Sequence, residues 1–91
     1  MREIAGKTPG SVKVKVWREL EGFDPLADNV IDVEGTLKRI AMVYDLPIDT
    51  VADELELNEL LPLYIDCVKH VNGIVLEKLK SVPKNADGVG N

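Results

Sequence analysis

The sequence predicts a mainly α-helical fold, a small three-helix domain with a short N-terminal β-strand and flexible termini. Three observations lead there. Apolar residues recur at three- and four-residue spacing through 33–44, 48–55 and 58–80. Gly and Pro punctuate the chain at 6–10, 22–25, 47 and 83–90. Between the first two of those breaks, Val12-Lys13-Val14-Lys15-Val16-Trp17 alternates apolar and basic residues with the period of a strand.

Taken in order, residues 1–11 read as a flexible leader, broken by Gly6, Pro9 and Gly10. The strand at Val12–Trp17 needs a partner for its ladder hydrogen bonds. The only candidate in the chain is Asn29-Val30-Ile31-Asp32-Val33, so pairing with a second chain is the other route. A helix over residues 12–21 is the alternative, because Trp17 and Leu20 have helical spacing. Glu21 to Asn29 is a loop around Gly22 and Pro25.

The first helix spans about Val33 to Tyr44. Val33, Leu37, Ile40, Ala41 and Tyr44 share one face. Asp32 suits its N-cap, Glu34 its first turn, and Pro47 stops it. The second helix runs from about Ile48 to Leu55, with Ile48, Val51, Ala52 and Leu55 inward and Asp49, Asp53 and Glu54 outward. The third starts at Asn58 as N-cap and runs toward Lys80, with Pro62 tolerated in the first turn. Leu61, Tyr64, Val68, Val71, Val75, Leu79 and Val82 form its stripe, widened by Leu60, Leu63, Cys67 and Ile74. Two shorter helices cannot easily cover so much apolar surface. Gly73 costs ~1 kcal/mol relative to Ala and permits a bend or a close helix approach. Residues 12–82 thus make a single helical domain, and 83–91 a polar, Gly-rich, disordered tail.

Composition narrows the function. The chain has 91 residues, enough for one domain with a modest core. Aromatics are 4%, too few for a platform on which bases could stack. The single cysteine, Cys67, excludes an internal disulfide and sits in an apolar run, as a buried thiol does in a reducing, cytoplasmic setting. No segment has the ~20 apolar residues of a membrane span. His70, the one histidine, has no Cys or second His at ligand spacing, and reads as a boundary residue beside Asp66. Phosphate-binding glycine loops, a nucleophile elbow and a calcium loop are absent. A non-catalytic protein without metal, cofactor or small-molecule substrate is expected.

The net charge of −5 is unevenly spread. Residues 1–18 carry five bases against Glu3, residues 19–66 carry thirteen acids against Lys38 and Arg39, and residues 67–91 carry four bases against two acids. A basic head and an acidic middle can pair between molecules. A solvated surface that keeps the protein soluble is the alternative.

Residues Thr36–Leu55 resemble a helix-turn-helix: a helix containing Ile40-Ala41, a tight turn, then Thr50-Val51 in a second helix. Asp45 stands where that motif usually has Gly. A DNA-binding regulator is therefore the alternative function. Charge opposes it, because the second helix would present Asp49, Asp53 and Glu54 to phosphate.

A wider pattern joins a short helix, Leu46-Pro47-Ile48-Asp49-Thr50-Val51, then Leu55-Glu56-Leu57-Asn58-Glu59-Leu60-Leu61, then a long helix. Over about residues 36–76 it resembles the small tail assembly chaperones of tailed bacteriophages. That resemblance implies a helical protein that coats an apolar tape-measure protein, in the host cytoplasm, without catalysis. Leu60, Leu61, Tyr64, Val68, Val71 and Val75 are then the partner-binding candidates, divided between core and interface. A protein partner and a homo-oligomer are the expected associations, with no nucleic acid or membrane.

Overall fold

The structure, a computed structural model, describes residues 1–81, with side chains through Glu77. The tail expected at 83–91 lies outside the described residues. Among them are four α-helices: α1 (Val14–Leu20), α2 (Val33–Tyr44), α3 (Ile48–Glu54) and α4 (Leu60–Ser81). The central α2 packs against each of the other three.

The mainly helical reading holds, but the strand at Val12–Trp17 does not. It is replaced by α1, and no strand occurs among the described residues. A lone strand would leave its backbone groups without partners, whereas a helix satisfies them internally. Val16 and Leu20, four apart, are buried, and Trp17 is half-buried beside them. Val14 points outward at 74% exposure. Strand addition therefore has no edge here on which to act.

Helix α2 begins where the sequence indicates. The Asp32 carboxylate accepts the Gly35 N–H at 2.8 Å, an N-cap worth ~1 kcal/mol. Its end differs from expectation. The stop is Asp45, in the left-handed conformation at φ 58°, and not Pro47. Leu46 N–H bonds back to Ala41 O at 3.0 Å and Asp45 N–H to Met42 O at 3.3 Å. That is the Schellman arrangement, with Asp in the position Gly usually takes. Pro47 instead flanks the start of α3.

Asn58 is not the cap of the long helix. A 3₁₀ turn at Leu57–Glu59 leads into α4, closed by a capping box between Glu56 and Glu59. Glu56 N–H donates to the Glu59 carboxylate at 2.8 Å. Pro62 falls in the first turn of α4, as expected. At Gly73 an added Cβ would meet nothing within 4 Å, so no close helix approach explains that glycine.

The core comes from all four helices and one further residue. Ile40, Val51 and Cys67 are fully buried, and so is Ile4. Residues 1–11, expected as a free leader, are folded onto the bundle. Ile4 and Lys7 exchange two backbone hydrogen bonds of 2.9 Å around Ala5 and Gly6, both at positive φ, as in a two-residue hairpin turn. Arg2 donates to Glu54 O at 3.0 Å and pairs with Glu59 at 2.9 Å. Lys7 donates to Asp45 O at 2.9 Å. Two cations thus sit on the carbonyl ends of α3 and α2, where the helix dipole favours them. Tyr44 donates its hydroxyl proton to Arg2 O at 2.6 Å, and His70 Nε2 lies 2.7 Å from Gly10 O. The leader is part of the domain.

A second fastening centres on Arg39 of α2. Arg39 donates from Nε to Glu19 O at 2.7 Å and from a terminal nitrogen to Gly35 O at 2.9 Å. Its guanidinium lies 3.7 Å from the centre of the Phe23 ring, and Phe23 meets Tyr64 edge-on at 5.7 Å. One side chain so joins α1, the α1–α2 loop, α2 and, through Phe23, α4.

Candidate protein-interaction site

The six partner-binding candidates fall into three groups. Leu60, Tyr64 and Val71 are in the core, with 2%, 4% and 2% of their surface exposed. Leu61 and Val68 are half-buried. Val75 is 45% exposed. The stripe that dominates the sequence pattern is therefore mostly the face by which α4 packs on α2.

A second stripe lies about a quarter-turn away. Ile65 and Leu76 are 52% and 54% exposed. Together with Leu61, Val68 and Val75 they make one largely apolar line along α4. Leu61, Ile65, Val68, Asn72 and Val75 are spaced 4, 3, 4 and 3, the spacing of a coiled-coil seam. The exposed Asn72 stands in the middle of it. Ile65 and Leu76 escaped the sequence reading because the inward stripe is the stronger signal. Their i, i+4 relation to Leu61 and Asn72 was the available clue.

A separate groove of about 670 Å³ runs between α1 and the α2–α3 corner. Val12, Met42, Leu46 and Ile48 form a half-buried floor. Lys13, Lys15 and Lys38 stand along its edges, exposed and without an ion-pair partner among the described residues. Asp45 is the one carboxylate on this rim.

Chemically reactive groups are held in structural roles. The Cys67 thiol is fully buried, and burial, aided by nearby Asp66, pushes its pKa up to about 12. Burial likewise raises Tyr44 to about 12 and moves Tyr64 upward. His70 is occupied with Gly10 O and not with Asp66. Among the described residues, no group of three or more His, Cys, Asp or Glu side chains could hold a metal ion. Nor is any described helix long and apolar enough to cross a membrane.

The Asp45 corner bears on the helix-turn-helix likeness. Its left-handed backbone supplies the turn that Gly usually provides. The electrostatics run the other way. Asp49, Asp53 and Glu54 are exposed on α3, and Arg39 is committed to Glu19, Gly35 and Phe23.

No protein-family model, no curated protein and no solved structure matches this chain.

Proposed function

We propose that this protein is a non-catalytic interaction module that binds a helical segment of a protein partner along the outer stripe of α4. The observation that carries this reading is the line of exposed Ile65, Val75 and Leu76 with half-buried Leu61 and Val68, on a helix whose other apolar face is already used. Asn72 in that line supports a helical occupant, since a lone polar residue in a seam sets register and disfavours slipped pairings.

Magnitudes shape the partner. Ile65, Val75 and Leu76 are each roughly half exposed, so covering them recovers roughly 1 kcal/mol apiece. Leu61 and Val68 add less. That total, about 3–4 kcal/mol, does not exceed the ~4–15 kcal/mol that association costs. One copy on one short helix would bind weakly. A long apolar helix engaging several copies answers this, because linked contacts raise the effective concentration. The likeness to phage tail assembly chaperones names one such partner, a tape-measure protein.

Co-expression with a long helical protein encoded beside this one provides the test. The wild-type chain is expected to co-purify with it. Ile65→Asp with Val75→Asp is expected to abolish co-purification while leaving the thermal melt unchanged. Equal recovery of the double variant would remove α4 as the binding surface.

A further inference from the structure

We propose that the lysine-edged groove between α1 and the α2–α3 corner receives the Leu57 turn of a second copy of this chain, giving head-to-tail self-association. This inference is independent of the α4 stripe and uses neither Ile65 nor Val75.

The two surfaces match in shape class and in charge. Leu57 is 71% exposed at the tip of the turn before α4. The capping box of Glu56 with Glu59 and the Arg2–Glu59 pair fix that turn, so little ordering remains for binding to impose. Exposed carboxylates precede Leu57 in the chain: Asp53 near the end of α3, and Glu56 beside it. From residue 40 to residue 68 there are seven acids and no Lys or Arg. The groove presents the converse, an apolar floor edged by Lys13, Lys15 and Lys38. Its volume of about 670 Å³ lies within the usual ~300–1,000 Å³ of binding clefts. Three unpaired lysines against a turn flanked by the exposed carboxylates of Asp53 and the capping Glu56 supply the complementarity that steers association and fixes register.

Knob and groove are different patches, so the contact is heterologous. Each copy donates one and offers the other, and the assembly grows until it closes into a ring or continues as a filament.

Sedimentation velocity of the full chain over a range of concentrations tests this. Wild type is expected to form species larger than a monomer at low salt and to dissociate as salt rises. Lys15→Glu with Lys38→Glu destroys the groove, and Leu57→Glu destroys the knob. Each variant is expected to weaken association at least about tenfold. All three positions are exposed, and an unchanged thermal melt verifies folding. The groove variant still carries the knob, and the knob variant still carries the groove. Mixed, they are expected to give a 1:1 heterodimer that grows no further. Ile65→Asp should leave self-association intact. A wild-type monomer at every concentration, association untouched by either variant, or a mixture that stays monomeric would each overturn the proposal.

Discussion

Gly35 shows how one missing methyl group can be required. A Cβ there would lie 2.8 Å from the Asp32 carboxyl carbon and 3.0 Å from the Phe23 ring. Gly35→Ala must therefore displace either the α2 cap or the ring under Arg39, and a loss of roughly 1–3 kcal/mol is expected in urea unfolding. Gly73 is the opposite case. Nothing lies within 4 Å of its missing Cβ, so Gly73→Ala should stabilise by about 0.5–1 kcal/mol, a rise of several degrees in Tm. Asp45 sits between them. It holds a left-handed backbone that Gly adopts at less cost, and its carboxylate is only 3.9 Å from Lys7 at almost full exposure. Asp45→Gly should raise stability by about 1 kcal/mol. Of these roles, the cap at Asp32 was legible in the sequence, because an Asp before an amphipathic run is a local signal. Those of Gly35 and Asp45 were not, since the first depends on Phe23 and the second on a turn that sequence leaves open.

At the scale of elements, periodicity located α2 and α3 to within a residue but put a strand ahead of a helix at residues 12–21, where the helical alternative is the one that forms as α1. Valines at every second position suit a strand only if a neighbouring strand exists, and there is none among the described residues. The leader was missed for a related reason. A single apolar residue among Gly and Pro carries no period, yet Ile4 is fully buried. Ile4→Ala is expected to cost about 2–4 kcal/mol by chemical denaturation, the cost of a core cavity; a free leader would give near zero. The Arg2–Glu59 pair that fastens the leader also has a pH signature. The Glu56 N–H and then Arg2 lower the pKa of Glu59 from its ordinary 4.5. Its contribution is complete above pH 4.5 and is lost as pH falls below that value through the lowered pKa. Glu59→Gln should flatten that part of the stability–pH curve.

The whole molecule is a bundle in which most apolar surface is spent on a single centre around α2. The apolar spacing marks α4 as the richest helix but does not divide Leu60, Tyr64 and Val71 from Val75, because the division depends on where α2 and Phe23 lie. The same centre predicts sensitivity to base. Burial raises Cys67 from 9.0 and Tyr44 from 10.0, each to about 12. Their favourable, protonated burial is complete below pH 9 and is lost as pH climbs toward 12. Stability measured by denaturant titration should fall across that interval. Cys67 should react with a thiol reagent at neutral pH only as fast as the domain opens.

The docked leader also sets the order in which the chain can fold. Its hydrogen bonds span 42 residues from Arg2 to Tyr44, 52 from Arg2 to Glu54 and 60 from Gly10 to His70. During synthesis residues 2–10 must wait for the middle of α4 before all of them find their seats. Closing so long a loop is the slow step in an otherwise local helical topology. Leader docking then follows the collapse of α2 on α4, and a weakened leader shortens the lifetime of the folded state more than it delays its formation.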